Sequence, residues 1–529
     1  MTPPVDRSRK GPPVLSDYER DALLAWGDRT SEATPFVPII GSIAAIAESH
    51  GDEIAVEFGS EQLSYCNLWR LAQHLAGLLA GWGVRRGDVV AVHLDRSVDL
   101  VVAQLAVMSF GAILLPLEPE QPPQRIDAML SESRARLVLS HDAGAVGRTN
   151  LIPVLDVIVA LSDAPVAPPP PPMCALTSPD DGSYALFTSG STGRPKGIVN
   201  THGGISNRIA WMQETYRLTR DDRVLYKTPV SFDVAMWEWL WPLSVGARVV
   251  VADDEAKHDP AAIAKTIVDH GVTFVHFVPS MLRPFTVLQE ARECLTLRQI
   301  VCSGEVLSSI AVDEALRICP AVDNLYGPTE AAIDVTRWAC RAGAERTPIG
   351  RPISGVRLRI VDENGDLVPV GVPGELLIGG VALARGYLNR PGLTARAFVP
   401  DRWAEGARLY RSGDRVRWVE PGVLEFLGRL DAQVKIRGVR IEPGEVEAVL
   451  GAAPGVLESA VVVREDERRG PRLAAYVTGS AEPSALRGHL RVTLPEVMVP
   501  YEIIWLDAMP RTASGKVDRI ALGRISENQ

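Results

Sequence analysis

The residues able to do chemistry in this chain gather in short runs. The densest is Tyr184-Ala185-Leu186-Phe187-Thr188-Ser189-Gly190-Ser191-Thr192-Gly193-Arg194-Pro195-Lys196-Gly197, where an apolar run feeds a loop of glycines and small hydroxylated residues closed by one lysine. Glycines let backbone N–H groups approach an anion closely, serine and threonine add hydroxyl donors, and lysine adds a point charge, so such a loop can wrap phosphate oxygens. It is not a Walker A loop, because Pro195 precedes Lys196 and Gly197 follows it. It also leads into Ile198-Val199-Asn200-Thr201-His202, a strand-like run, so a helix N-terminus is not expected to supply the anion site. Further along come Asn324-Leu325-Tyr326-Gly327-Pro328-Thr329-Glu330, Tyr410-Arg411-Ser412-Gly413-Asp414 and Arg511-Thr512-Ala513-Ser514-Gly515-Lys516. Taken singly, Lys516, Glu330, Asp414 and Tyr326 read as a solvated lysine, a surface glutamate, a capping aspartate and a core tyrosine; their joint order carries the meaning.

The elements that must position these runs follow from hydrophobic periodicity. Leu68, Leu71, Ala72, Leu75, Leu78 and Leu79 have helical spacing, and Gly81 to Gly87 end that helix before the β-rich run Asp88 to Leu94. Helix and strand alternate through Val101 to Leu117, Arg136 to Ser140, Ala247 to Ala252, Ala261 to Val278 and Leu297 to Gly304, which predicts a layered α/β architecture with mostly parallel strands. From about Thr347 the alternation and turn residues predict antiparallel strands. The last ~100 residues, after Gly428-Arg429-Leu430-Asp431, read as a compact α+β unit beyond a hinge-like segment. Pro168 to Pro172 read as an extended polyproline spacer.

Composition bounds the rest. With 529 residues, 46% hydrophobic and 23% charged, the chain has the make-up of a soluble globular protein of several folding units. Lys+Arg 55 against Asp+Glu 65 gives a net charge of −10, which disfavours nucleic-acid binding. Six scattered cysteines, with no C-x-x-C pair, encode neither a zinc site nor a disulfide framework and fit a reducing cytoplasm. Leu100 to Leu117 is uncharged, but Gln104, Ser109, Gly111 and Pro116 interrupt it, so burial in a core is expected rather than membrane insertion.

The phosphate-loop string closely resembles the signature of the adenylate-forming superfamily: acyl-CoA synthetases, luciferases and the adenylation domains of nonribosomal peptide synthetases. Leu63-Ser64-Tyr65, the Asn324 to Glu330 run, Gly374-Glu375-Leu376 with Gly386-Tyr387, Tyr410 to Asp414, Gly428 to Gly438 and Arg511 to Lys516 occur in that order, and together they resemble a peptide-synthetase adenylation domain over nearly the whole chain. Leu115-Pro116-Leu117-Glu118 and Val497-Met498-Val499-Pro500 depart mildly from the family pattern. The resemblance implies a linker-like segment 1–36, a large α/β core domain 37–428 carrying a small β-barrel-like module, and a small mobile lid domain 429–529. It implies ATP and Mg²⁺, with Thr188, Ser189, Gly190, Ser191, Thr192, Gly193 and Lys196 on the phosphates, Tyr326 on adenine, Thr329 in the nucleotide site, Asp414 on the ribose with Arg429 nearby, and Glu330 on the metal. Lys516 and Thr188 join Glu330 as catalytic residues, and Asp431 is the hinge.

The chemistry accounts for such a set. An amino-acid carboxylate is ionised at neutral pH, so attack on the α-phosphorus of ATP requires no general base. Catalysis must instead align two anions and neutralise charge as the bond to pyrophosphate breaks.

By the same resemblance Asp233 pairs with a substrate ammonium, and the pocket comprises Asp233, Val234, Trp237, His276, Val301, Ser303, Leu325, Ile333, Asp334 and Lys516, which resembles the specificity string of serine-activating domains. Trp237 and Leu325 are expected to shorten the cavity, while His276, Ser303 and Asp334 offer partners to a small hydroxyl; a large or apolar side chain strands each polar group at ~1–3 kcal/mol. The expected activity is ATP-dependent activation of L-serine and its transfer to the phosphopantetheine thiol of a peptidyl carrier protein, supplied on another chain or a further part of the gene. An MbtH-like helper is a further partner the resemblance allows, and the N-terminal segment Leu15 to Pro35 resembles the joint between condensation and adenylation domains. The competing readings are an acyl- or aryl-CoA ligase, which should lack a carboxylate for the ammonium, and an adenylation domain for threonine or alanine.

Overall fold

Among the described residues the strand-forming runs pair into five sheets. The computed structural model describes residues 15–142, 152–162, 177–190, 194–257, 259–466 and 470–525. Ser191, Thr192, Gly193 and the five-proline run lie outside these described residues.

The nine-stranded sheet runs, edge to edge, Arg351–Pro352, Thr336–Ala339, Val322–Tyr326, Gln299–Cys302, Phe274–Phe277, Arg223–Tyr226, Arg248–Val251, Ile54–Phe58 and Glu61–Ser64. Its interior pairs from Val322–Tyr326 to Ile54–Phe58 are parallel and its edges antiparallel. A second sheet of seven strands carries the phosphate-loop strand Gly182–Thr188 beside Ile113–Pro116, and the chain returns antiparallel along Lys196–Thr201. Strand thus follows loop, as the apolar run after Lys196 predicts.

From residue 356 the pattern becomes antiparallel: Val356–Val361, Gly374–Gly380, Arg408–Glu420, Phe398–Pro400 and Val423–Arg429 form a five-stranded sheet. The chain then makes the two-stranded hairpin Val434–Ile436/Val439–Ile441. Last comes a three-stranded sheet, Val456–Asp466, Gly470–Gly479 and Glu502–Trp505, with the helices Pro443–Gly451, Pro483–Thr493 and Arg519–Arg524 and a core of its own.

The uncharged run is resolved by caps. Ser97 accepts from Leu100 N at 3.2 Å to start the helix Val98–Phe110, and Gly111, at φ 84, ends it before the strand Ile113–Pro116. Every residue of that helix except Asp99 is buried, so its apolar character belongs to a protein core. Among the described residues no helix is long and apolar enough to cross a membrane.

Candidate functional site

Three adjacent parallel strands put part of the expected pocket set on one face. His276 pairs in register with Val301, and Val301 with Asp323, so His276, Val301 and Leu325, two residues beyond Asp323, share a face by period-two alternation. Ser303 follows the end of its strand on the same parity. The first turn of the helix Val234–Val245 carries Val234 and Trp237. Asp233 is the N-cap of that helix, but its side chain makes no capping bond, which leaves the carboxylate for another partner. Trp237, His276, Val301, Ser303, Leu325, Ile333 and Asp334 are all at most 3% exposed.

The backbone beside these residues is strained. Ala332 and Ile333 adopt φ 46 and φ 83, and for a β-branched residue the latter is an outlier. Gly327 makes it possible, since a Cβ there would stand 2.3 Å from Ile333 O.

The pocket's polar groups are already organised. Asp334 is paired with Arg208 at 2.8 Å, both almost wholly buried, so it reaches a substrate only as half of an ion pair. Burial and the neighbouring Asp334 charge push the Asp233 carboxyl up to about 7, against a hydrogen bond from Thr329 and the charge of Lys435. His276 Nε2 lies 3.0 Å from Ser303 Oγ, its Nδ1 3.4 Å from Thr228 Oγ1, and its ring stands edge-on to Trp237 at 6.2 Å.

A second cluster surrounds Glu330, which has no solvent exposure. Its carboxylate receives Lys196 Nζ at 3.2 Å, the Tyr387 hydroxyl at 2.9 Å and Arg440 Nη1 at 2.8 Å. Burial alone would raise its pKa; the Arg440 and Lys196 charges and the Tyr387 hydrogen bond outweigh that and hold it well below the usual carboxylate range. Asp414 accepts from the Tyr326 hydroxyl and from Arg429 Nη1 at 2.6 Å, while Arg429 grips Asp431 with Nε at 2.7 Å and Nη2 at 2.6 Å. One guanidinium therefore joins Asp414 to Asp431.

Lys516 is not in this site. It is exposed, in a turn where Thr512 N donates to Lys516 O at 2.8 Å. The hairpin Val434–Ile441 occupies the cleft instead, with Lys435 facing both Asp414 and Asp233. The Lys435 side chain remains water-accessible, standing in the open cleft rather than in packed protein; the enclosing walls lower its basicity and the Asp414 and Asp233 carboxylates resist that.

The C-terminal unit also takes up donors of the glycine- and serine-rich loop. Ser189 Oγ donates to Arg440 O at 2.7 Å and accepts from Glu442 N at 3.1 Å; Gly190 N donates to Glu445 Oε2 at 3.1 Å, and Arg125 holds the other Glu445 oxygen at 2.8 Å. Thr188 Oγ1 is buried without a protein partner. Sequence reasoning missed Arg208, Lys435, Arg440, Glu442 and Glu445 as site residues. Lys435 lies inside the recognised motif Gly428 to Gly438 and Arg440 two residues beyond it, whereas nothing in the sequence marks Arg208.

The residues present fit ATP and Mg²⁺. Thr188 lacks a partner where a phosphate oxygen would supply one, and Asp414, with about four lone-pair sites, has room for ribose hydroxyls beyond its two present donors. Glu330 would offer a cation one carboxylate, the rest of its shell being water and phosphate oxygens.

A mostly parallel α/β core, an antiparallel module and a separately packed C-terminal unit that reaches over a loop of phosphate-type donors define an adenylate-forming ligase. The family description "AMP-binding enzyme" matches residues 43–388, and "AMP-binding enzyme C-terminal domain" matches 445–516; the chain belongs to this family, built as the adenylation domains of nonribosomal peptide synthetases are. It is 42% identical to phosphinothricin tripeptide synthetase PhsB of Streptomyces viridochromogenes, over 96% of this chain and 44% of that protein. It is 37% identical to zwittermicin A synthase ZmaJ of Bacillus cereus, over 90% of this chain and 93% of that protein. It superposes on the fused adenylation–PCP di-domain NpsA-ThdA from Klebsiella oxytoca with a TM-score of 0.81 at 26% identity, covering 89% of this chain and 94% of that one. The chain spans less than half the length of several curated relatives it matches.

Proposed function

We propose that this chain converts L-serine and ATP to seryl-adenylate and pyrophosphate, then passes the seryl group to the phosphopantetheine thiol of a peptidyl carrier protein. The observation that carries the serine assignment is the His276–Ser303 hydrogen bond, 3.0 Å long, in a pocket shortened by Trp237, Val301 and Leu325. A one-carbon side chain ending in a hydroxyl fills that depth and pairs with Ser303; a longer one does not fit, and an apolar one leaves the free lone pairs of the Ser303 oxygen unpaired.

Asp233 holds the ammonium, and the incoming cation keeps its carboxyl ionised against the burial that pushes it up to about 7. Tyr326 packs on adenine, Asp414 holds the ribose, and Thr188, Ser189, Gly190, Lys196 and Thr329 position the phosphates. Mg²⁺, held by Glu330, would neutralise phosphate charge. Lys516 enters for the first step, when residues 429–529 turn about Asp431; the docked orientation seen here suits the second, because Ser189 and Gly190 donate to the hairpin and to Glu445 and are free for no phosphate. Pyrophosphate and the docked hairpin thus compete for the same donors.

That adenylation–PCP proteins stand among the structural neighbours supports a carrier partner. The proposal is tested by incubating the chain, with and without an MbtH-like helper, with ATP, Mg²⁺, an equimolar mixture of the twenty amino acids and a phosphopantetheinylated carrier, and weighing the carrier. A mass increase matching serine supports it; a different amino acid on the carrier overturns the serine assignment.

A further inference from the structure

Behind the pocket wall lies a chain of buried polar groups that ends on Ser303. Glu238 sits on the helix Val234–Val245, next to Trp237, and is fully buried. Its Oε2 accepts from the backbone N–H groups of Lys227 at 3.1 Å and Thr228 at 2.8 Å, and its Oε1 accepts from Thr228 Oγ1 at 2.6 Å. Thr228 Oγ1 faces His276 Nδ1 at 3.4 Å, and His276 Nε2 faces Ser303 Oγ at 3.0 Å.

Proton counting gives this chain a direction. A threonine hydroxyl has one proton, and the short bond to a carboxylate is the stronger claim on it. Toward His276, Thr228 then only accepts, so Nδ1 carries the imidazole proton. Burial, together with the positive charges of Lys227 and Arg208, holds the ring well below its ordinary pKa, so it carries that proton alone. Nε2 is bare and takes the single proton of Ser303, and the Ser303 oxygen is left with lone pairs toward the cavity.

We propose that Glu238 and Thr228, neither of which reaches the substrate, are positioning residues that lock His276 in its Nδ1–H tautomer and so make Ser303 a hydrogen-bond acceptor, selecting a substrate side chain that donates. The inference rests on the placement of the pocket given above, and it explains discrimination against groups of hydroxyl size that cannot donate. Neither residue belongs to the ten pocket positions, and the signal in sequence is only a threonine and a glutamate ten residues apart.

The direct test is long-range ¹H–¹⁵N correlation on the full chain labelled at its nine histidines, with His276 assigned by its loss in His276→Asn. The expected result is a neutral His276 protonated at Nδ1, kept in Thr228→Ser and lost in Thr228→Val. Glu238→Gln, whose amide can donate to Thr228, is expected to invert the relay to Nε2–H. In parallel, the ratio of kcat/KM for serine over 3-fluoro-L-alanine in pyrophosphate exchange should fall about tenfold in Thr228→Val, through KM, and recover in Thr228→Ser. An Nε2–H tautomer or a charged ring in the unsubstituted protein overturns the relay, and that spectrum decides even where a variant fails to fold. Activation of another amino acid alongside an Nδ1–H ring sinks the serine assignment and leaves the relay standing.

Discussion

Arg440 Nη1 lies 2.8 Å from Glu330 Oε2, so the carboxylate proposed above to hold a metal ion is satisfied here by a cation from the C-terminal hairpin. Glu330 is fully buried and Arg440 partly so, and removing the cation leaves the carboxylate stranded. Arg440→Ala is therefore expected to weaken the docked orientation and slow thioester formation by about 10–100-fold, while pyrophosphate exchange stays within about threefold. Single-turnover transfer from preformed aminoacyl-adenylate checks this; equal losses in both half-reactions would show that Arg440 does not discriminate between orientations.

Lys516 and Lys435 should separate in the opposite sense. Lys516, exposed here, should be needed for adenylation, and Lys516→Ala should lose about 10²–10³ in pyrophosphate exchange. Lys435, facing Asp233 and Asp414 in the docked cleft, should matter mainly for the thiol step. Measuring both half-reactions on both variants gives a crossed pattern if one rotation exchanges the two lysines, and parallel losses if it does not.

Asp233 gives a pH dependence of defined sign. Its carboxyl, raised to about 7 by burial and the Asp334 charge, takes up a proton as pH falls through that value and loses the charge that holds the ammonium. KM for the amino acid should rise about tenfold per unit below pH 7, with kcat little changed. Steady-state exchange between pH 5.5 and 8 checks it, and Asp233→Asn should show a high, flat KM.

Arg208 is a structural as well as a pocket residue. It is 1% exposed, pairs with Asp334 at 2.8 Å and stacks its guanidinium over Trp211 at 4.7 Å. Arg208→Met strands a buried carboxylate, with an expected cost of about 3–5 kcal/mol in urea unfolding, and Arg208→Met combined with Asp334→Asn should recover part of it. A loss below about 1 kcal/mol for the single change would mean that Asp334 is neutral in the folded protein.

The fold was legible where apolar runs are bounded by turn residues. The capped helix Val98–Phe110, the strand after Lys196 and the antiparallel texture of the later residues all follow from spacing, caps and turns. The side of the pocket formed by His276, Val301 and Leu325 was legible by resemblance, and strand register explains why these residues meet. What spacing does not encode is pairing between distant parts of the chain. Arg208 meets Asp334 across 126 positions, and Gly190 meets Glu445 across 255. Nor did any glycine or asparagine announce the left-handed backbone at Ala332 and Ile333; the clue lay in Gly327, which gives Ile333 room.

The most direct trial of the central claim is amino-acid-dependent exchange of labelled pyrophosphate into ATP, run with Mg²⁺ across the twenty standard amino acids, beside an MbtH-like helper and without it. L-Serine should give the fastest exchange, clearly ahead of threonine and alanine. Faster exchange with any other amino acid, or no exchange in either arm, would contradict the account.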